Sequence, residues 1–527
     1  MHAPHDAIVL GAGHNGLVTA CYLARAGWKV LVLERRGVVG GACVTEETFP
    51  GFKVSTAAYV SSLFNNQIVR DLELHAHGYE LLARVPSSYS PFHDGRHLLL
   101  GGGPEQDRRE IGKFSRKDAD AYPKYEAMLE RIAGALEPTL HRLAPDVVRP
   151  GLGDLAGLFK LGRALQKLGG AGMAEAVDLL TGPARTILDR WFESEQLKAT
   201  LATDAVIGAM AAPSTPGTAY VLFHHVMGET HGRRGVWAYV RGGMGGLTQA
   251  LATVARRHGA EIRTDAEVAR ILTTNGRVTG VALASGEELR AGVVASNADA
   301  HVTFRRLLAP SDVPPEFAAA VDRIDYGSAS LKINVALSGL PRFTARPPEG
   351  TDHLRGTVHL CPSQDHIERG FDDAKYGRPS RDPILECTLP SVVDPTVAPP
   401  GKHLMSMFVQ YAPYKLKDGH WDDLKDSFAD RCFEVLESYA PGFRDLVIDR
   451  QVLSPLDLER VFNLTGGSIS QGAMNLGQLL MFRPAPGWTQ HRTPIRGLYL
   501  CGAATHPGGG VMGTPGLHAA QQILRRE

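Results

Sequence analysis

The sequence predicts an α/β fold: a discontinuous Rossmann-type domain, with a parallel sheet, helices and a β-meander crossover, joined to a second domain of mixed sheet and helix. Three observations lead to this prediction. A glycine-rich turn lies between two apolar runs in residues 7–35, the pattern is mostly helical from about residue 80 to 235, and a strand, a glycine-rich loop and a helix close the chain. The chain therefore visits the nucleotide-binding domain three times and the second domain twice.

The N-terminal segment is typical of one βαβ unit. "AIVL" at residues 7–10 and "VLVL" at residues 30–33 are continuous apolar runs of the kind found in buried parallel strands. The stretch "GLVTACYLARAG" between them has the apolar spacing of a helix, and Gly27 would end that helix.

The turn inside this unit carries the pattern G-x-G-x-x-G at Gly11, Gly13 and Gly16, and Glu34 ends the second strand. The first glycine allows a tight turn, the second lets the backbone approach a pyrophosphate, and the third packs the helix on the strand. The carboxylate of Glu34 would accept both ribose hydroxyls and repel a 2′-phosphate. This combination favours FAD or NAD over NADP.

Two further glycine segments separate FAD from NAD. Gly40 and Gly41 in "ERRGVVGGACVT" offer a second close backbone approach to a pyrophosphate, and the loop "CGAATHPGGGVMG" can lie against a flat ligand. The helix expected from about residue 514 presents the partial positive charge of its N-terminus, which would stabilise the anionic edge of a reduced flavin. A NAD enzyme has no need of this second helix N-terminus, so the sequence favours FAD.

The chain leaves this domain in two places. After the helical stretch, short apolar strands follow one another between about residues 261 and 297, with hairpin turns at Asn275-Gly276 and Ser285-Gly286. Alternating strands such as "SLKINVALSG" mark a second mixed region. We predict an FAD-binding domain from residues 1–78, 236–305 and 481–527, and a substrate-binding domain with a helical insertion from residues 79–235 and 306–480.

These motifs resemble the phytoene desaturase and carotenoid oxidoreductase superfamily of flavoproteins, with its amine-oxidase-like fold. The resemblance covers nearly the whole chain and rests on strings such as "GAGHNGL", "ERRGVVGGACVTEE", "YVRGGMGGL" and "LYLCGAATHPGGGVMG". It implies non-covalent FAD, redox chemistry on an apolar substrate and, in a eukaryote, a mitochondrial location. β-Carotene ketolases are similar as well.

The motifs and the resemblance together assign a set of residues to FAD binding: Gly11, Gly13, His14, Asn15, Gly16, Glu34, Arg35, Arg36, Gly40, Gly41, Ala42, Val268, Gly502, Ala503, His506, Gly510, Val511 and Met512. Relatives often carry an arginine where Ala42 stands, a histidine at Gln471 and an aspartate at Gly477. The roles of those three side chains are therefore not carried over to this chain.

Catalytic residues are not identified by these motifs. A flavin takes up the hydride itself, so the protein has mainly to orient a C–H bond and exclude water. His506 is one candidate, as a flavin ligand or a proton shuttle, and a purely structural role is the alternative. Lys332 and Asn334 share one face of "LKINVAL" and either line the cavity or cover a solvated strand face.

Composition and spacing exclude several other classes. Lysine plus arginine and aspartate plus glutamate number 56 each, so no net field attracts nucleic acid. The six cysteines lack C-x-x-C spacing, and Cys361 and Cys387 are the nearest mid-chain pair, which argues against thiol–disulfide chemistry and for a reducing compartment. His224, His225 and His231 lack a ligand pattern, because adjacent imidazoles point apart on a helix, so no metal is predicted.

No targeting leader and no run of about 20 apolar residues is evident, which predicts a cytoplasmic protein that is soluble or peripheral to a membrane. Residues 155–170 are the segment that bears on this choice. They form either a membrane-dipping mouth for an apolar substrate or, as the pattern favours, a core-packed helix. The apolar face of this helix carries Leu158, Leu161, Leu165 and Leu168, with Lys160, Arg163 and Lys167 around it.

The sequence thus predicts an FAD-dependent oxidoreductase that transfers a hydride from an apolar polyene-, isoprenoid- or lipid-like substrate to the flavin, which a separate acceptor reoxidises. Two alternatives stay open. One is a flavin-dependent isomerase or ketolase of the carotenoid type, and the other is an FAD-containing regulatory or partner-binding protein with little turnover.

Overall fold

The computed structural model describes residues 4–230, 232–347 and 349–527, and two seven-stranded sheets dominate that part of the chain. Its strands are β1 (His5–Leu10), β2 (Val30–Leu33), β3 (Thr45–Phe49), β4 (Phe52–Ser55), β5 (Leu81–Ala83), β6 (Ser88–Pro91), β7 (His97–Leu100), β8 (Glu229–Thr230), β9 (Arg233–Arg234), β10 (Ala238–Val240), β11 (Glu261–Arg263), β12 (Val268–Thr274), β13 (Arg277–Leu283), β14 (Glu288–Ser296), β15 (Ser330–Leu337), β16 (Thr357–Leu360), β17 (Ile384–Thr388), β18 (His403–Gln410), β19 (Val447–Leu453) and β20 (Leu498–Leu500).

The α-helices of the same residues are α1 (His14–Arg25), α2 (Asn66–Asp71), α3 (Pro104–Gly112), α4 (Arg116–Leu140), α5 (Leu152–Gln166), α6 (Gly169–Thr181), α7 (Ala184–Trp191), α8 (Glu195–Thr203), α9 (Thr218–Val226), α10 (Gly245–Arg257), α11 (Pro315–Asp322), α12 (Gln364–Lys375), α13 (Trp421–Tyr439), α14 (Phe443–Leu446), α15 (Pro455–Phe462) and α16 (Thr514–Arg526).

The first sheet has the order β11-β2-β1-β14-β13-β12, and β20 pairs with the second half of β14. β11, β2, β1, β14 and β20 run parallel, while β14, β13 and β12 form an antiparallel meander. Asn275 and Gly276 make the predicted hairpin turn with φ of 51° and 70°. The predicted Rossmann-type sheet with its meander is confirmed.

β1 and β2 are buried on both faces, which explains their continuous apolar sequences. Ala7 and Val9 of β1 pack with α1, α10 and α16 on one side of the sheet. Ile8 and Leu10 pack on the other side, in a cluster that includes Phe304. The N-terminal and C-terminal helices are therefore neighbours, although almost the whole chain separates them.

The second sheet has the order β19-β15-β18-β17-β16-β6-β7, and only the β16–β6 pair within it is parallel. Leu331, Ile333 and Val335 of β15 pack with α13 on one face. Lys332 and Asn334 lie on the opposite face and are buried too. That face is turned to the interior of the protein, so the alternative of a solvated strand face is wrong.

The predicted helical segment contains α3 to α9, which pack around a shared apolar core. Residues 155–170 fall largely in α5. Leu161, Leu165 and Leu168 pack against this core, as the core-packed alternative expects, while Leu152 and Phe159 on another face are 89% and 66% exposed. Among the described residues, none of the helices combines the length and the apolarity that a bilayer crossing requires.

Candidate functional site

The glycine-rich turn between β1 and α1 brings backbone against backbone. Gly11 adopts φ 88°, in the left-handed region, and its N–H donates to Leu33 O (2.8 Å). A Cβ at Gly16 would collide with Gly11 O, and a Cβ at Gly13 would lie 2.7 Å from Asn297 Nδ2. α1 begins directly after this turn, so its first N–H groups form a helix N-terminus suited to an anion.

Glu34 lies beside this turn at the end of β2. Its buried carboxylate accepts from Ala12 N–H at Oε2 (2.9 Å) and from Arg36 N–H at Oε1 (3.0 Å). The two bonds hold the carboxylate at the carboxyl ends of the parallel strands, which is where Rossmann folds bind the ribose. Each carboxylate oxygen keeps a second lone pair for a ribose hydroxyl.

The second glycine pair meets the first glycine turn. Gly40 N–H donates to Ala12 O (2.9 Å), and Gly40 forms a β-bridge with Gly13. A Cβ at Gly41 would lie 3.1 Å from Gly13 Cα. Two backbone segments without side chains therefore line one groove, which is the cradle that a pyrophosphate needs.

The two arginines after Glu34 have different surroundings. Arg36 pairs with Glu46 (2.7 Å), and its guanidinium lies 5.4 Å from the Phe462 ring centroid. Arg35 instead donates to the carbonyl of Arg460 (2.8 Å) near the end of α15. The structure thus places the Arg35 side chain on α15 rather than on the glycine turn.

The loop after β20 completes the groove. A Cβ at Gly502 would lie 2.5 Å from Asn297 O and 2.6 Å from Gln471 Oε1. Gln471 also accepts from Ala504 N–H (3.0 Å) and donates to Asn297 O (3.1 Å). Gly516 at the start of α16 packs on the carbonyl of Asn15. The N-termini of α1 and α16 therefore lie side by side at the carboxyl edge of the first sheet.

Arg483, in the segment that precedes β20, holds this loop through its guanidinium. Its guanidinium is fully buried and donates to Ala503 O (2.9 Å) and Gln478 O (3.2 Å), and it is also hydrogen-bonded to Ser470 O. Burial lowers the pKa of Arg483 to about 10, so it remains charged at neutral pH. The arginine links the flavin-type loop to residues 470–478.

Unpartnered polar atoms mark the groove as a binding site. His14 Nε2, Asn15 Oδ1 and Arg36 Nη1 are buried without a hydrogen-bond partner among the described residues. Buried polar atoms of folded proteins are nearly always paired, so a polar ligand is the natural partner for these. Burial lowers the pKa of His14 to about 4, which keeps its imidazole neutral. Together with the glycine cradle and Glu34, these atoms fit FAD.

Most of the other residues predicted to bind the cofactor lie around the same groove. Ala42, Ala503, Gly510 and Val511 line a large cavity that adjoins it. Met512 O accepts from Asn65 N–H (3.0 Å) behind the loop. Val268 begins β12 and packs in the same cluster as Leu33, next to the end of β2.

His506 departs from its predicted place. It lines a second cavity of about 400 Å³, where its Nε2–H donates to Thr139 O (2.9 Å) and its ring stacks on His518. Burial lowers its pKa to about 4, so the imidazole is neutral at physiological pH. This geometry supports the structural alternative and gives no support to a proton shuttle at His506.

The large cavity has a volume of about 710 Å³, within the range of small-molecule sites. It extends from the loop after β20 to the buried face of the second sheet. Much of its wall is apolar, and the side chains on that wall include Leu63, Val221, Leu222, Phe408 and Ile469.

Lys332 lies on the floor of this cavity. Its Nζ is 3.9 Å from the centroid of the Tyr59 ring and is hydrogen-bonded to Ser406 Oγ. Tyr59 follows Ala58, whose N–H donates to Ala42 O (2.8 Å), so Lys332 marks the cofactor end of the cavity. Burial lowers the pKa of Lys332 well below its usual range, which favours the neutral amine.

His224 lies at the site, although from the sequence it is considered only as a metal ligand and assigned no role. It lies on α9, lines the large cavity, and donates from Nε2 to Gly509 O (3.3 Å) in the loop after β20. Burial lowers its pKa to about 3. Among the described residues no cluster could hold a metal ion, and His231 lies outside them.

The cysteines do not form a redox pair. All six are free and buried, and burial raises the thiol pKa of Cys361 and Cys387 well above the usual range. Neither thiol is activated as a thiolate, which nucleophilic sulfur chemistry requires.

Known flavin enzymes and their relatives are similar to this chain over nearly its whole length. The family described as Flavin containing amine oxidoreductase matches residues 16–524. The chain is 46% identical to the rat protein called Pyridine nucleotide-disulfide oxidoreductase domain-containing protein 2, over 99% of this chain and 93% of the relative. It is also 28% identical to a limonene dehydrogenase polypeptide from Castellaniella defragrans, over 99% and 94% of the two chains.

A phytoene desaturase of Neurospora crassa is 26% identical over 96% of this chain and 82% of its own, which confirms the predicted resemblance. Among solved structures, a putrescine oxidase variant superposes with a TM-score of 0.63 at 15% identity, covering 99% of both chains. At that identity the likeness is one of fold, and it agrees with the two sheets described above.

Proposed function

The chain belongs to the flavin-containing amine oxidoreductase family and is an FAD-dependent oxidoreductase, and we propose that it removes a hydride from an apolar, isoprenoid-like substrate. The observation that carries the proposal is the apolar cavity of about 710 Å³ that begins at the flavin-type loop. The names of two relatives, a limonene dehydrogenase polypeptide and a phytoene desaturase, point to hydrocarbon isoprenoids as the substrate class.

In this proposal the glycine turn and Gly40–Gly41 hold the pyrophosphate, and Glu34 holds the ribose. The loop after β20 and the N-terminus of α16 bind the ring system, since the partial positive charge of a helix N-terminus favours an anionic edge. The bound flavin supplies a hydride acceptor, and a separate acceptor takes the electrons afterwards.

The protein's own residues position the substrate and handle the proton. The apolar wall excludes water from the reacting C–H bond and aligns the chain along the cavity. Formation of a double bond releases a proton as well as a hydride. Lys332 is the residue that we propose to accept that proton at Nζ, because it lies at the cofactor end of the cavity and its burial favours the neutral amine.

The visible absorption spectrum of the purified protein tests this function. We expect a flavin spectrum that bleaches when an apolar polyene is added without oxygen and stays unchanged with NADH or NADPH. Absence of flavin would contradict the cofactor assignment. A bound flavin that no polyene reduces would favour the regulatory alternative, and a changed substrate with an unbleached flavin would favour the isomerase.

We also propose that the outer face of α5 docks on an anionic membrane surface. Leu152, Leu155 and Phe159 form an exposed apolar strip on this helix, and Lys160 and Arg163 beside them are exposed cations. This combination is typical of interfacial helices. Leu161 and Leu165 on the inner side of α5 line the cavity of about 400 Å³, so a docked helix would lie directly over an apolar space.

Cosedimentation with vesicles tests the membrane contact. Wild type should pellet with vesicles that contain phosphatidylserine, and the double variant Leu152→Ser, Phe159→Ser should remain in the supernatant. Tyr376→Ser removes an exposed aromatic residue elsewhere and serves as the control. Equal pelleting of wild type and the double variant would refute the proposal.

A further inference from the structure

One row of side chains crosses the floor of the large cavity from the cofactor end to the opposite end. Lys332 on β15 pairs with Phe408 on β18, Phe408 pairs with Glu386 on β17, and Glu386 pairs with His359 on β16. Residues directly opposite on neighbouring strands share one face, and all four line the cavity. Strands lie about 4.8 Å apart, so Glu386 is about 10 Å from Lys332 across the sheet.

The end of this row that lies farthest from the cofactor is polar, whereas Phe408, between Lys332 and Glu386, is apolar. Glu386 and His359 meet Asp204, which follows α8, and Arg84, which follows β5; we call these four residues the polar pole. His359 Nδ1–H donates to Thr203 Oγ1 (3.0 Å), which itself donates to Thr200 O (2.9 Å). This arrangement leaves His359 Nε2 as a hydrogen-bond acceptor.

Arg84 supplies an unsatisfied donor. It is 2% exposed, donates from Nη2 to Thr357 Oγ1 and lies 5.1 Å from the Tyr239 ring centroid. Its buried Nε has no hydrogen-bond partner among the described residues. A buried guanidinium N–H without a partner is costly, so a bound acceptor group accounts for its presence at this end of the cavity.

Burial and mutual repulsion reduce the negative charge of the pole. Burial raises the pKa of both Asp204 and Glu386, and the mutual repulsion of the two carboxylates raises that of Glu386 further. With a pKa of about 8, Glu386 keeps its proton at neutral pH, which reduces the negative charge beside Arg84. Burial lowers the pKa of His359 to about 3, so its imidazole is neutral.

A neutral group that both donates and accepts is the best match to this environment. A carboxylate would add a third acidic group to Asp204 and Glu386, and an ammonium group would lie beside Arg84. A hydroxyl accepts from the Arg84 N–H and donates to a carboxyl oxygen of Asp204 or to His359 Nε2. A pure hydrocarbon would leave the buried N–H at Arg84 Nε without a partner.

We infer that the polar pole binds a terminal hydroxyl group, so that the substrate is an apolar isoprenoid-type chain that ends in an alcohol. This inference rests on the proposed function. Because the pole lies about 10 Å from Lys332, the hydroxyl anchors the substrate while a carbon farther along the chain is oxidised.

The test compares two probes that differ in one oxygen atom: geranylgeraniol and the hydrocarbon in which hydrogen replaces its hydroxyl. Each is titrated without oxygen into the FAD-loaded protein, and the flavin difference spectrum gives its Kd. We expect the alcohol to bind at least about tenfold more tightly, because the hydrocarbon leaves buried polar groups unpaired. The ratio of the hydrocarbon Kd to the alcohol Kd should fall close to one in the variants Arg84→Met and Glu386→Leu.

Glu126→Gln is the matched control, since this acidic residue also lines the cavity but is exposed. The variant should keep the wild-type preference for the alcohol. Equal Kd values for the two probes in wild type would overturn the inference and leave the proposed function intact if the hydrocarbon reduces the flavin. Failure of both probes to bind would overturn the inference and the proposed function together. The ratio of the two Kd values in wild type tests the inference even where a variant does not fold.

Discussion

Replacement of Gly16 by alanine is the sharpest test of how the groove is built. The added Cβ would collide with the carbonyl oxygen of Gly11 and would lie 3.3 Å from Asn297 Cβ. Gly11 cannot yield freely, because its N–H is bonded to Leu33 O at the end of β2. The turn must therefore move by on the order of 1 Å to restore a contact of about 3.5 Å.

Such a displacement falls on the backbone that would contact the pyrophosphate. Forcing one extra methyl group into a packed site typically costs about 1–3 kcal/mol. If most of that cost appears in cofactor binding, Gly16→Ala weakens FAD affinity by about 5- to 150-fold, since about 1.4 kcal/mol corresponds to a factor of ten.

The assay is a titration of apoprotein with FAD, followed by flavin fluorescence, together with the flavin content of the protein as purified. Gly134→Ala is the control, because Gly134 lies within α4 and a Cβ there meets no atom within 4 Å. This control should bind FAD like wild type and gain about 1 kcal/mol of stability from helix propensity. An unchanged Kd for FAD in Gly16→Ala would refute the close-packing argument.

Four further outcomes follow from the same structure. Glu34→Ala should lose roughly 1.5–3 kcal/mol of FAD binding, a charge-assisted contribution, and full flavin content in the purified variant would contradict the ribose assignment. His491 and His506 are buried with pKa values of about 4, so their stability contribution is complete above pH 6.5 and decreases as the pH falls toward 4. At pH 5 each histidine should lower the free energy of unfolding by roughly 2 kcal/mol. Urea unfolding should therefore show that acidification lowers the stability of His506→Gln less than that of wild type. Lys332→Met should raise the melting temperature and slow anaerobic flavin reduction by the substrate at saturation; an unaltered reduction rate would remove Lys332 from the reaction. Arg483→Met should lower both melting temperature and flavin retention, because it leaves several buried carbonyls unpaired, and wild-type retention would show that the flavin-type loop does not depend on it.

The FAD-binding domain could be predicted from the sequence because its motifs are local. The turn at Gly11, Gly13 and Gly16 lies between two apolar strands, and the helix and the acidic residue follow within a few dozen positions. Such a motif needs only neighbouring residues to be recognised. The parallel sheet followed from this motif, the hairpins from the short apolar runs and the Asn275-Gly276 turn, and the choice of FAD over NAD from the two further glycine segments.

The partners that complete the groove could not be read in this way. Asn297, Gln471 and Arg483 reach the glycine loops from distant parts of the chain. Each is a single polar residue in a segment without a motif. Two signals were available: Asn297 directly follows a central strand, where parallel sheets place their ligands, and Gln471 stands where relatives often carry a histidine.

The sequence by itself determined the fold class and the cofactor, since glycine spacing and apolar runs act over short distances. Only the tertiary structure decided the side chains' surroundings. It turned Lys332 into the interior, where alternation alone allowed solvent, and set His506 against Thr139 in a separate cavity. It also gathered Arg84, Asp204, His359 and Glu386 from four separate segments. Burial and mutual distance fix the charge and reactivity of such groups, and both arise only when distant segments pack together.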